Sequence, residues 1–241
     1  MQHAVVSQNE WLKARKALLA KEKEFTRQRD ALSARRRDLP WVKIDKTYTF
    51  DGPQGRETLA ALFGGRSQLL IYHFMLGPGW AQGCPSCSLL ADHFDGAAIH
   101  LAQRDVTLVV VSRAPLAEIA AYQKRMGWRF KWVSSHGSDF NHDFHVSFTP
   151  EEMTGEVEYN YARGKFPSEE APGLSAFIKN DGAVFHTYSA YARGLDILIG
   201  AYNFLDMTPK GRDEGALPWT MAWVRRHDEY EATPAKAACC D

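Results

Sequence analysis

Cysteine is scarce in this chain, with four in 241 residues. So low a count excludes a scaffold held by disulfides, because such scaffolds are cysteine-dense. Long apolar runs are also missing. None approaches the ~20 residues that a bilayer-spanning helix needs, so no membrane partner is expected. Net charge is absent, with 29 Lys and Arg against 29 Asp and Glu. Bulk electrostatics therefore gives no reason to expect nucleic acid as a partner. The opening MQHAVVSQNEW has no basic patch followed by an apolar core, so no signal peptide is expected and the cytoplasm is the default location. Structural disulfides are uncommon there, which leaves catalysis or metal binding as uses for the cysteines. What is present is ordinary for a globular protein: 45% apolar and 24% charged residues, in a chain long enough to bury a substantial core.

Glycine and proline are missing from residues 8 to 38, where Ala, Leu, Lys, Arg and Glu dominate. Trp11, Leu18, Phe25, Leu32 and Leu39 recur every seven residues. The positions three further on (Ala14, Lys21, Gln28, Arg35) are not an apolar second row, so a full coiled-coil seam is lacking. Residues 1–39 are therefore read as a basic amphipathic helix. It is strapped across its own subunit or, alternatively, forms a homodimer contact. A minor reading gives Arg35, Arg36 and Arg37 to nucleic acid.

Pro40 ends that helix. Residues 41–59 read as a short strand pair turning at Asp51-Gly52-Pro53, and Thr58–Phe63 as a helical turn stopped by Gly64-Gly65. SQLLIYHFML (67–76) and DVTLVVVS (105–112) are strands buried on both faces. The pattern is helical from Cys84 to about Gln103 and again over 115–127, and 128–135 is a third strand. Residues 136–172 read as an irregular insertion, 175–189 as a hairpin around Asn180-Asp181-Gly182, and 196–207 as a helix. The expected fold is α/β, a mixed central sheet flanked by helices over 40–210. Residues 211–241 are read as a C-terminal extension thinning into a flexible tail.

Cys84-Pro85-Ser86-Cys87 falls where a buried strand gives way to a helix. Disulfide exchange needs a thiolate, and the unsatisfied N–H groups at the start of a helix stabilise one. Pro85 suits that place because its missing N–H would have no intrahelical partner. Cys87, three residues on, is one turn deeper on the same side. Cys84 would attack, and Cys87 would resolve the mixed disulfide. A zinc site shares the spacing but needs two further ligands, and Cys239-Cys240 is distant and vicinal. No metal and no bound cofactor are expected.

These residues carry a resemblance. CPSC resembles the glutaredoxin-type variant of the thioredoxin motif, and 59–135 is similar to the peroxiredoxin and thioredoxin superfamily. The strings YHFMLGPGW, GCPSCSLLAD, VVVSRAPLAEI, KRMGWRFKWVSS, DFNHDF, HTYSAYARGLDIL and YNFLDMTPKGR resemble a bacterial family of unknown function with a thioredoxin-like fold. Its members are regarded as predicted dithiol–disulfide oxidoreductases. The resemblance implies a thioredoxin-like domain with an added N-terminal helix. It also implies a disulfide-containing protein or small thiol as substrate, and a dithiol partner as reductant. Two alternatives stand beside it: a non-enzymatic module binding a protein or soft metal through the same thiolates, and an atypical thiol peroxidase. The peroxiredoxin pattern Pro-X-X-X-Thr-X-X-Cys is not met, since Ala81 occupies the Thr position and Gly77 the Pro position, with Pro78 one residue off.

Supporting candidates follow. The resemblance implies that Trp80 lines the approach to the dithiol and that Pro172 matches the cis-proline of thioredoxins. Arg113, at the C-terminal end of a central strand, is a candidate for steadying a thiolate or an anionic substrate. His186, Tyr188, Tyr191 and Arg193 form a polar-aromatic set, and strand alternation would put His186 and Tyr188 on one face as a substrate pocket. His136, Asp139, His142, Asp143 and His145 have metal-ligand types on an irregular loop, where a solvated loop is the expected state. The tail pair Cys239-Cys240 is a candidate shuttle of electrons to Cys84-Cys87.

Overall fold

The computed structural model describes residues 3–230; the tail cysteines Cys239 and Cys240 lie outside them. The chain divides into two compact units, 1–41 and 42–241. The first is one long helix, α1 (Gln8–Arg37). Ser7 and Glu10 close a capping box at its start, with Ser7 Oγ accepting from the Glu10 N–H, and Arg35–Arg37 complement its C-terminal end. No residue of α1 is buried, and Trp11, Leu18 and Phe25 are each about half exposed or more.

The second unit contains a mixed sheet of eight strands: β1 (Val42–Lys43), β2 (Thr49–Gly52), β3 (Gly55–Thr58), β4 (Gln68–His73), β5 (Val106–Ser112), β6 (Lys131–Ser134), with β9 (Gly173–Asn180) and β10 (Ala183–Tyr191) following a separate two-stranded ribbon. That ribbon is β7 (Val157–Tyr159) and β8 (Ala162–Gly164). The strand order is β1-β10-β9-β4-β5-β6-β2-β3. β4, β5 and β6 run parallel, while β9 is antiparallel to β4 and β10 to β9. Helices α2 (Pro85–Ala91) and α3 (Phe94–Ala102) cross from β4 to β5, and α4 (Leu116–Met126) from β5 to β6. A short α5 (Phe140–Asp143) lies in the insertion, and α6 (Gly200–Leu205) follows the hairpin. A βαβ unit joined to a hairpin and helix, ordered β10-β9-β4-β5, is the thioredoxin-like arrangement expected from the sequence.

β4 shows why the sheet is covered twice. Leu69 and Ile71 point into one cluster with Phe50, Leu62, Phe140 and Phe144. Tyr72 and Phe74 point into the other, with Leu90, Phe94, Trp128 and Trp132. A strand buried on both sides reads as continuous apolar sequence. Asp181 and Gly182 both take positive φ (48° and 80°), as a two-residue hairpin turn of the primed type requires.

Four expectations change. The helix expected over 84–103 breaks between α2 and α3, where Asp92 accepts from the Trp128 indole N–H (2.8 Å) and His93 Nε2 accepts from the Ala201 N–H (3.2 Å). Side chains bound to distant partners hold a turn there. The stretch 196–207 is a 3₁₀ helix (Ala192–Leu198) followed by α6, and Gly200 sits where a Cβ would come within 2.7 Å of the His93 ring. The insertion 136–172 is partly ordered by α5 and the β7–β8 ribbon. Finally, the extension past 211 does not thin out before 230, because Val224 and Arg226 are buried.

Candidate functional site

Cys84 is the residue before the first turn of α2, with extended backbone (φ −58°, ψ 133°) and Pro85 at the first helical position. Its own N–H donates to the Met75 carbonyl (3.1 Å), and its carbonyl accepts from the Ser88 N–H (3.0 Å) and the Ser88 hydroxyl (2.9 Å). The residue is thus fixed at both backbone ends and is half-buried. Cys87 is buried one turn below. Both thiols are free.

The two sulfurs have unlike environments. The Cys87 thiol hydrogen-bonds the Cys84 sulfur, and the backbone N–H groups of Cys87 and Ser86 point to it as well; with the positive charge of Arg226 these bring the Cys84 pKa down to about 6 against the pull of burial. Burial, followed by its hydrogen bond to Cys84 and that neighbour's charge, pushes the Cys87 pKa well above the usual thiol range, and the Tyr72 hydroxyl opposes this through a hydrogen bond. The surroundings therefore favour the ionised form of Cys84 and the protonated form of Cys87.

Close packing enforces this geometry. A Cβ on Gly83 would stand 2.4 Å from Phe74 Cε1 and 2.9 Å from Tyr122 Cε1, so only glycine lets the chain pass beneath these rings into Cys84. Tyr122 on α4 shares a hydrogen bond with the Ser88 hydroxyl (2.9 Å). A groove of about 440 Å³ lies between the 77–83 loop and α4, lined by Trp80, Glu118, Tyr122 and Arg125. Trp80 is partly exposed there, and its indole N–H donates to Glu169 (2.9 Å).

The other candidates sit as follows. Every peptide bond among the described residues is trans, so Pro172 does not take the expected cis form. It does precede β9 at the end that pairs with His73 of β4, and its carbonyl accepts from the Tyr159 hydroxyl (2.7 Å). Arg113 is engaged by Glu170 (2.6 Å) and Glu169 (3.6 Å) rather than by a thiolate. A register shift between His186 and Tyr188 overturns the expected alternation. The extra residue, Thr187, leaves His186 against Phe144 and Phe177 in one cluster and Tyr188 against the other. The two side chains therefore pack in different clusters rather than together. Arg193 lies exposed in a local pair with Asp196 (2.9 Å). In the insertion, Lys46 bridges Asp139 (2.8 Å) and Asp143 (2.6 Å), which occupies both carboxylates with a cation from the chain itself. Among the described residues, no group of three or more His, Cys, Asp or Glu is disposed to hold a metal.

Sequence reasoning missed Arg226, Tyr72 and Tyr122. Tyr72 was legible in part, since it lies in a strand ending near the cysteines. Arg226 lies 143 positions from Gly83, whose carbonyl it holds, and no local pattern announces such a contact.

The fold is similar to solved peroxiredoxin structures. One is peroxidoxin BcpB from Mycobacterium tuberculosis, at 12% identity and TM-score 0.43, covering 67% of this chain and 94% of that one. Another is a peroxiredoxin Q from Xanthomonas campestris, at 13% identity and TM-score 0.45, covering 69% and 98%. A third is PrxQ from Xylella fastidiosa, at 10% identity and TM-score 0.43, covering 68% and 95%. No curated protein matches the sequence. A family model matches residues 1–230, and with it the whole of the site just described: the chain belongs to the family described as bacterial protein of unknown function (DUF899).

Proposed function

We propose that the protein is a dithiol–disulfide oxidoreductase acting through Cys84 and Cys87. The feature that carries this reading is the placing of a half-buried Cys84 at the start of α2, where its neighbours lower its pKa to about 6, above a buried Cys87 whose pKa is raised. The Cys84 thiolate attacks one sulfur of a substrate disulfide. A Cys84–substrate bond forms, the substrate S–S bond breaks, and one substrate sulfur leaves as thiolate. Bonding to the substrate also removes the Cys84 negative charge, which is one of the causes that keep Cys87 protonated. Cys87 then passes its proton to the departing thiolate and attacks Cys84. The Cys84–Cys87 disulfide forms and the second substrate sulfur leaves. Substrate gains two electrons and the protein loses two, to be restored by a dithiol reductant.

The test is reduction of a small aromatic disulfide by the full chain. Cys84→Ser should abolish it, and Cys87→Ser should accumulate the mixed disulfide on Cys84, visible by mass spectrometry. Retained turnover in Cys84→Ser would end the reading. Stoichiometric zinc in protein purified without chelator, with no reversible redox couple, would replace it with the metal-binding alternative.

A further inference from the structure

Arg226 belongs to residues 212–230, where the described chain forms no helix or strand, yet it is among the few buried charged residues described. Its Nη2 and Nε donate to the Gly83 carbonyl (2.6 and 3.1 Å), on the residue immediately before Cys84. Nε also donates to the Tyr122 hydroxyl (3.2 Å), and Nη1 to both oxygens of Glu229 (3.0 Å each). The surrounding segment is fastened independently. Arg125 on α4 pairs with Asp228 (2.7 Å) and Glu229 (2.9 Å), and His227 Nδ1 meets Asp92 (2.7 Å).

We propose that Val224–Glu229 is an activating clamp and Arg226 a positioning residue for Cys84, acting through the Gly83 carbonyl and through its charge. This rests on the reading of Cys84 as the attacking thiolate. A guanidinium fork spends two donors on one carbonyl, which fixes the chain entering α2 as a lone ammonium would not. It also keeps a cation on the residue next to Cys84, where an opposite charge favours the ionised form of the sulfur. Glu229 holds the fork in position and offsets its charge. The titratable groups facing Cys84 are Cys87 from α2, Tyr72 from β4, Tyr122 from α4, and Arg226 with Glu229 from the clamp.

The two halves of the Arg226–Glu229 pair therefore have opposite effects, which separates a charged clamp from mere packing. The experiment is iodoacetamide alkylation of the full-length protein against pH, read by mass spectrometry on the Cys84 peptide so that Cys239 and Cys240 do not contribute. The wild-type midpoint is expected near 6. Arg226→Gln should move it upward by a fraction of a unit, since the hydrogen bonds from Cys87 and Ser86 outweigh the guanidinium charge in lowering it. Glu229→Gln should move it downward, and Arg226→Lys should fall between wild type and Arg226→Gln. Unchanged midpoints, or an upward move in both Arg226→Gln and Glu229→Gln, would overturn the proposal. If Arg226→Gln does not fold, the downward move in Glu229→Gln still decides. Alkylation needs no substrate, so turnover surviving in Cys84→Ser would sink the catalytic reading while leaving this result standing.

Discussion

Cys84 and Cys87 begin with the same thiol, and their surroundings divide the work between them. At pH 7 a free cysteine is about 3% thiolate, whereas one near pKa 6 is about 90%, a gain of roughly 30-fold. Intrinsic nucleophilicity falls with basicity, and that returns most of the gain as a slower attack per thiolate. The larger benefit of a low pKa is at the resolving step of the return reaction, where Cys84 must leave. Reactivity of Cys84 should therefore rise as pH passes upward through about 6 and stay level above, with the proton lost from the Cys84 thiol itself. Resolution depends on Cys87, whose hydrogen bond from the Tyr72 hydroxyl is the side-chain contact that favours its ionised form. Tyr72→Phe removes that donor from a fully buried position. A lost hydrogen bond of about 1.4 kcal/mol corresponds to tenfold, so the mixed disulfide should resolve about ten times more slowly. Stopped-flow mass spectrometry of the intermediate reads this. Unaltered resolution would show that Tyr72 only packs.

At the scale of elements, the hairpin β9–β10 holds a polar line through an otherwise apolar layer. His73 Nε2 meets Ser175 Oγ (2.9 Å), Ser175 Oγ meets Ser189 Oγ (2.8 Å), and Ser189 Oγ meets His186 Nε2 (2.8 Å). His73 is stacked against Phe140 and Phe144, its Nδ1 has no hydrogen-bond partner, and burial brings its pKa down to about 3. A histidine held neutral in the folded state binds its proton only on unfolding. Its contribution is therefore intact above the unfolded pKa of about 6.5 and is lost as pH falls from there toward 3. His73→Phe should flatten the acid side of the stability curve by about one proton's worth over that window, measured as urea midpoints at several pH values. An acid limb identical to wild type would refute this.

The same hairpin shows what the sequence could disclose. Asn180-Asp181-Gly182 and the alternating strands were readable, because turn chemistry and period act locally. So was the junction of β4 with α2 at Cys84, because an apolar run ending at a Pro-containing helix start is a local signal. The bulge at Thr187 was not, since an added residue is defined only against its partner strand. Lys46 between Asp139 and Asp143, Arg113 on Glu170, and Arg226 on Gly83 were hidden for a related reason. Each joins residues far apart in sequence, and charged side chains on loops carry no periodicity that marks a buried partner.

At the scale of the whole molecule, the two units differ in how they satisfy their apolar residues. The unit beginning at Val42 buries its large side chains in clusters on both faces of the sheet. α1 has a capping box and basic residues at its end, but it leaves Trp11, Leu18, Phe25 and Leu32 about half exposed or more. Most helical stability in proteins comes from packing an amphipathic face, so an open stripe on a 30-residue helix invites a partner. We propose a second copy of α1 as that partner, because the stripe recurs every seven residues and two such helices can lay it edge to edge. Full-length protein should then sediment as a dimer, and Leu18→Lys with Phe25→Glu should shift it to monomer. A chain beginning at residue 42 should be monomeric too. It should keep the pH dependence of Cys84 alkylation, because Cys87, Ser86 and Arg226, which set it, all lie within residues 42–230. A full-length chain that sediments as a monomer at all concentrations would remove α1 as a self-association surface, and a changed Cys84 midpoint in the shortened chain would show that the helix reaches into the chemistry of the site.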